Sequence, residues 1–226
     1  KVLEKFIIEN GNGSNGKSFL NDVLRHIHKD YCFKGNVSIL TKKIGDNGNP
    51  AIANMDKKRF CIFDEPCEQD TIEFSVIKTM TGSSIINARK LFSNDTTCTM
   101  SGIKVLECNE RLKLSGNTGM SMSRRAIDIL YRNQFKLKNE IPKDNTANIK
   151  EAKHASGLIL YFKDHMVKHK LNFENLEKID ICDSIKARTK MYIEESNDIL
   201  QIVLTFCDYT NESEFTEINN IHKLFC

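Results

Sequence analysis

Residues 11–18 read GNGSNGKS, and Gly11, Gly16, Lys17 and Ser18 satisfy the spacing G-x-x-x-x-G-K-[ST]. That spacing suits one task, the cradling of a row of phosphates. Gly11, Gly13 and Gly16 let backbone N–H groups turn inward around an anion without Cβ clashes, and Asn12, Ser14 and Asn15 complete the loop. A helix opening near Lys17 would aim its unsatisfied N–H groups and its positive dipole end at the same phosphates. In such a loop Lys17 neutralises β- and γ-phosphate oxygens and Ser18 ligates Mg²⁺. The expected ligands are therefore ATP and Mg²⁺. A plain glycine-rich turn between strand and helix is the alternative, and the flanks argue against it. Val2 to Ile8 supplies β-formers before the loop, while Phe19, Leu20, Val23, Leu24 and Ile27 recur at helical spacing after it.

Three later stretches offer chemistry to go with bound phosphates. In RFCIFDEP (59–66), Phe60, Ile62 and Phe63 lead directly into Asp64 and Glu65. An apolar strand ending in two carboxylates is what a phosphate loop needs beside it. Asp64 would hold Mg²⁺ through its water shell, and Glu65 would polarise the attacking water. KVLECNER (104–111) is a third strand, ending at Asn109. A strand-end asparagine is often only a turn residue. In phosphate-loop ATPases with an extra central strand, an asparagine here positions the water, and the order along the chain favours that role. SRRAIDI (123–129) carries Arg124 and Arg125, either a solvated edge or a finger reaching a neighbouring subunit's γ-phosphate.

Between the acidic pair and Asn109, INARKLF and TTCTM flank the polar SND and read as a β-hairpin with Arg89 and Lys90 near its tip. Those two cations could track a nucleic-acid backbone by charge, or simply be solvated.

Such residues need a sheet to converge on. Residues 1–135 alternate short apolar runs with helical patterns, as in a three-layer α/β fold. Strands are expected at 2–9, 36–40, 58–64, 102–108 and 126–131, a loop at 45–50, and a helix at 71–80 ending by Gly82. The polar stretch 136–148 reads as a linker to a helical C-terminal subdomain, 149–226. There, Ile149, Ala152, Ala155, Leu158, Ile159, Phe162 and Met166 share one helix face. SNDILQIVLTFCDY forms another helix, capped by Ser196 or Asn197.

The 226 residues suffice for one sizeable core, and 28% charged against 40% hydrophobic residues describes a globular chain. No run of about 18 apolar residues is present, so no membrane partner is expected. A net charge of +3 is too small to demonstrate nucleic-acid binding. The eight cysteines form no C-x-x-C pair and read as reduced thiols of an intracellular protein. His26 and His28 have no partner at ligand spacing and read as surface or packing residues. Because the chain opens on Lys1 with the phosphate-loop strand at its edge, an upstream domain is expected.

Together these segments resemble the superfamily 3 helicases, in particular the primase-helicase branch of large DNA viruses, phages and plasmids. The likeness lies in the NGKS loop, in Asp64-Glu65, and in an IK-x-x-TG-x-x-x-x-x-AR-x-L-[FY] stretch matched from Ile77 to Phe92. Cys108-Asn109 and Arg124-Arg125 correspond to further family elements. The resemblance implies an AAA+-like core, assembly of copies into a hexameric ring, and movement along single-stranded or forked DNA. It also implies an upstream primase domain and, for a viral protein, work at a replication site in the host cell. On this reading Arg89 and Lys90 face the central channel, and Arg125 is the better finger candidate, with Arg124 its neighbour. Departures are Leu112 near the usual proline, the SGNTGMSMS stretch in place of an aspartate, and Leu130-Tyr131 at the final element.

The expected function is an ATP-driven DNA helicase or translocase of replication. A second class is a non-motor, nucleotide-gated assembly, packaging or origin-binding factor, which would lack DNA-stimulated turnover. A small-molecule kinase fits less well without an arginine-rich lid, and a GTPase lacks N-K-x-D and D-x-x-G.

Overall fold

The computed structural model describes residues 3–44, 50–63, 66–67, 69–83, 85–88, 97–116, 120–135, 152–170, 180–198 and 201. Strand β1 (Phe6–Asn10) runs into the phosphate loop, and helix α1 (Lys17–His28) leaves it. Next come β2 (Cys32–Gly35), the short helices α2 (Ser38–Thr41) and α3 (Pro50–Ala53), and β3 (Phe60–Phe63). Strand β4 (Thr71–Glu73) leads straight into α4 (Phe74–Gly82), followed by β5 (Ile85–Asn87) and β6 (Thr97–Thr99). The core closes with β7 (Ile103–Glu107), β8 (Lys113–Ser115), α5 (Met120–Ser123) and β9 (Ala126–Leu130). Two helices follow, α6 (Ala152–Lys168) and α7 (Asp183–Glu195).

The fold is α/β, around a five-stranded sheet ordered β2-β3-β7-β1-β9 and parallel throughout. Being covered on both faces, its strands are apolar runs; all four residues of β3 are buried. Alternation of side chains divides the core. Phe6, Ile8, Cys61, Phe63 and Leu106 enter the large cluster, which also takes Leu40, Ile52, Ile72, Ile77, Met80 and Tyr192. On the other face Phe60, Ile62 and Val105 form a small cluster with Ile7 and Leu24 of α1. Glu9 and Glu107 follow Ile7 and Val105 by two residues, so the pleat turns both carboxylates toward α1.

Two expectations need correction. Residues 36–40 do not form a strand. The strand lies just before them, and the Asn36 side chain accepts a 2.8 Å bond from the Ser38 N–H, turning the β-branched stretch into α2. The helix expected over 71–80 starts at Phe74. Thr71–Glu73 pairs instead with β8, placing Ile72 opposite Leu114, and the Glu73 carboxylate then accepts the Ser75 N–H to cap α4.

β5 and β6 pair antiparallel, Ile86 opposite Cys98, as the two arms of the expected hairpin. In the C-terminal part, α6 packs against α1, yet Ile159, Phe162 and Met166 of its expected packing face stay exposed. Helix α7, which carries no strong periodic signal, packs against the edge strand β9. Ser196 closes α7, and of the two expected caps it is Asn197 that precedes the next helical residues, Asp198 and Gln201, its carbonyl accepting the Gln201 N–H at 2.9 Å. The linker 136–148, Ile149 and most of the second expected tail helix lie outside the described residues. No helix among the described residues is long and apolar enough to cross a membrane.

Candidate functional site

The phosphate loop sits at the C-terminal end of β1, where the sheet's strands on either side also end. Gly11 has φ 142°, and the Tyr131 carbonyl oxygen would lie 2.5 Å from any Cβ placed there, so both the backbone conformation and the space require glycine. Gly16 has φ 88° and hands the chain to α1 at Lys17, as the glycine spacing predicts. Lys17 is buried, and its ammonium is folded back into the loop. It donates to Gly11 O at 2.5 Å, Asn15 Oδ1 at 3.1 Å and Asn109 Oδ1 at 3.4 Å. Three oxygens thus surround a cation that phosphate oxygens would otherwise claim.

Asn109 reaches this point because β7 lies between β1 and β3. The Cys108 N–H donates to Glu9 O and the Gly11 N–H to Asn109 O, stitching the two strand ends together. Lys17 and Asn109, separated by 92 residues in sequence, therefore share one site.

Beneath the loop lies a polar layer that the sequence motifs do not announce. Glu9 and Glu107 are register partners on β1 and β7, and both are buried. Ser18 Oγ donates to Glu107, and Asn21 Nδ2 bridges the two carboxylates at 2.7 Å from Glu9 and 3.2 Å from Glu107. The Tyr131 hydroxyl donates to Glu9 at 3.0 Å. Burial raises the Glu9 carboxyl above its ordinary range, and the Glu107 charge adds to the rise, while the bonds from Asn21 and Tyr131 oppose it. Burial likewise raises the Tyr131 phenol, reinforced by Glu9. A period-two reading of KFIIEN and KVLECN, which sets Ile7 with Glu9 and Val105 with Glu107, is the signal that could have found this layer.

The arginine pair divides sharply. The Arg125 side chain is 3% exposed, with Nε on Thr81 Oγ1 at 3.1 Å and Nη1 on Ser121 O at 2.8 Å. Its backbone carbonyl accepts the Phe6 N–H, at the end of the sheet away from the phosphate loop. Arg124 is 58% exposed and pairs with Glu4. Of the two, Arg124 presents its guanidinium to solvent and Arg125 packs within this chain. Asp64, Glu65, Arg89 and Lys90 lie outside the described residues. β3 ends at Phe63, immediately before the acidic pair, and β5 ends two residues before Arg89.

A second polar cluster fixes the strand end ahead of the loop. Asp128 on β9 is fully buried, with Arg111 at 2.5 Å, Arg188 of α7 at 3.3 Å and a bond from the Asn10 amide. Arg188 also donates to Asn10 Oδ1 at 3.2 Å, and Thr189 Oγ1 accepts the Asp128 N–H at 3.0 Å. Helix α7 is thereby tied to the residue directly before Gly11.

No protein-family model matches the chain. It is 33% identical over 109 residues to "Putative helicase L207/L206" of Acanthamoeba polyphaga mimivirus, a match covering 47% of this chain and 11% of that protein. The chain is thus related in sequence to a protein described as a helicase. Among solved structures it is similar to the apo C-terminal region of NrS-1, with a TM-score of 0.63 at 17% identity over 91% of this chain and 46% of that one. A second form of that region gives 0.57 at 15% identity, covering 98% and 52%. These structural likenesses concern the fold alone, and the chain spans about half the length of the solved relatives.

The donors present fit a magnesium nucleotide. A hydroxyl on Ser18, already held by a carboxylate, offers the hard oxygen environment that Mg²⁺ prefers. The glycine loop, the α1 N-terminus and Lys17 offer N–H and ammonium groups to phosphate.

Proposed function

We propose that this chain is the ATP-hydrolysing motor of a superfamily 3-type DNA helicase, with an AAA+-like core that acts in a ring of copies, six by family resemblance. The observation that carries the reading is the convergence of Lys17 and Asn109 at the end of a parallel sheet in which β7 is inserted between β1 and β3. The sequence likeness to a helicase-described protein supports the same class.

In this mechanism residues 11–16 wrap the phosphates with backbone N–H groups. Lys17 leaves Gly11 O and Asn15 to bridge the β- and γ-phosphates. Ser18 and Asp64 would hold Mg²⁺, with Glu107 orienting the Ser18 hydroxyl from below; the ion, when bound, would supply neutralisation of phosphate charge. Asn109 orients the water attacking the γ-phosphorus, and Glu65 accepts its proton as ADP and phosphate form. An arginine from the adjacent copy stabilises the developing charge, and the exposure of Arg124 favours it over Arg125 for that task. Arg89 and Lys90, between β5 and β6, contact the backbone of single-stranded or forked DNA. Residues 1–135 form the motor core and 149–226 a C-terminal helical part, within a longer replication protein bearing a primase domain and working in the infected cell.

Steady-state ATP hydrolysis with and without single-stranded DNA tests this, with Lys17→Ala as the blank. Stimulation by DNA that vanishes in the blank supports the motor. Hydrolysis indifferent to DNA, in a chain shown to assemble, replaces it with a nucleotide-gated assembly, packaging or origin-binding factor.

A further inference from the structure

The chain leaves β9 and crosses directly over the phosphate loop. The Tyr131 N–H donates to Asn10 O at 2.8 Å, the Asn15 amide donates to Tyr131 O at 3.5 Å, and the Phe135 N–H donates to Ser14 O at 2.7 Å. Five residues, Tyr131 to Phe135, are thus fastened at both ends to the loop. The Phe135 ring comes so close to Gly16 that a Cβ there would lie 3.3 Å from it, yet the residue remains 66% exposed. Between strap and loop lies a cleft of about 910 Å³, within the size range of small-ligand sites. Gly11, Asn12 and Asn109 line it from the loop side, and Arg132, Asn133 and Phe135 from the strap.

We infer that Phe135 is the stacking platform for the base of the bound nucleotide, and that the strap Tyr131–Phe135 is the base subsite. The inference rests on the nucleotide reading above and adds what holds the nucleoside. Phosphates held by the loop leave the base to be accommodated nearby, and of the two aromatic residues lining the cleft Tyr131 is half-buried with its hydroxyl on Glu9, while Phe135 is exposed to an incoming π-face. A solvent-facing phenyl is unremarkable by itself. Here it is positioned by a backbone bond to the phosphate loop and stands over that loop's last glycine, so ring and phosphate cradle are held side by side. The side chains of Asn12 and Asn133 each carry a donor and an acceptor, which suits a base edge of either polarity. Stacking is sequence-tolerant because every base has a π-face.

The test is calorimetric titration of the 226-residue chain, in Mg²⁺, with ATP and separately with inorganic tripolyphosphate. Phe135→Ala should weaken ATP binding roughly five- to a hundredfold, the range of a lost base–aromatic stack, and leave tripolyphosphate affinity unchanged. Phe135→Tyr, which keeps the ring, should bind ATP like the parent chain. Unchanged ATP affinity in Phe135→Ala overturns the inference, and so does an equal loss for both ligands, which would mean the strap only shapes the loop. If the parent chain binds tripolyphosphate and ATP equally well, the phosphate site stands and the base subsite does not. Binding of neither ligand overturns the nucleotide reading itself and this inference with it.

Discussion

The ammonium of Lys17 lies 3.4 Å from the side-chain oxygen of Asn109. One group opens a helix and the other follows a strand that enters the sheet only after two layers of chain have been laid down. On the proposed mechanism their meeting would set where the terminal phosphate of a bound nucleotide lies, since a lysine bridging phosphates and an amide orienting water could serve one phosphorus only from such proximity.

Asn109→Ala should therefore separate chemistry from binding. Removing one preorganised polar group at the reacting centre lowers kcat roughly 10²–10³-fold, with nucleotide affinity within a few-fold of the parent. Steady-state hydrolysis beside equilibrium nucleotide binding would show it. A matching loss in affinity would reduce Asn109 to a support for the loop.

Glu107→Gln tests the layer beneath the loop. Ser18 would still find an acceptor, but a neutral one, so Mg²⁺ bound to that hydroxyl should weaken roughly 10–100-fold, as when a group supporting a metal ligand is lost. Mn²⁺ titration in the presence of ADP, followed by paramagnetic resonance, reads this without turnover. An unshifted Mn²⁺ isotherm would detach Glu107 from the metal.

Asp128→Ala should unfold the chain more easily. It would leave the guanidinium groups of Arg111 and Arg188 without their shared buried carboxylate, a change that typically costs about 3–5 kcal/mol. Urea unfolding measures it. A loss under about 1 kcal/mol, the usual worth of an exposed pair, would mean water already reaches the cluster.

Lys104 makes stability depend on alkaline pH. It is fully buried on β7, bonded to Met100 O, and burial pulls its ammonium down to about 8 from 10.5. Between those values the unfolded chain holds the proton more tightly than the folded one, so stability rises as pH climbs from about 8 to 10.5 and is lowest below 8. Lys104→Met should flatten that rise and add about 3 kcal/mol at pH 7, the scale of such a shift. Urea midpoints at pH 7, 9 and 10.5 compare the two proteins; parallel curves would refute the assignment.

Arg125→Ala should lower the melting temperature by several degrees, through lost bonds to Thr81 and Ser121. Arg124→Ala should leave melting unchanged and depress hydrolysis only where copies assemble. The opposite pattern would return the finger role to Arg125.

The loop, the parallel sheet and the place of Asn109 were legible because glycine spacing and apolar runs are local signals. NVSIL misled because its β-branched residues suggest a strand, while a local turn in which the Asn36 side chain accepts the Ser38 N–H leads into a helix. TIE became strand β4 by pairing with β8, some forty residues away, which no window of local sequence contains. The Glu9–Asn21–Glu107 layer escaped for a similar reason: each residue is ordinary where it stands, and only register places the two carboxylates side by side. Family likeness favours Arg125 over Arg124, whereas the burial of Arg125, a property of the folded chain that no local sequence shows, is the ground on which the proposal favours Arg124.

Strand β1 carries a consequence for biosynthesis. Both neighbours of β1 arrive late, with Phe6 opposite Lys104 on one side and Ala126 on the other, on the order of a hundred residues downstream. A nascent chain emerging from the ribosome at about 5–20 residues per second must hold its glycine loop and an unpaired apolar strand open for many seconds before either edge is covered. The glycine loop is thus translated well before either strand that encloses it, and topologies of this kind fold slowly and depend on protection from aggregation meanwhile.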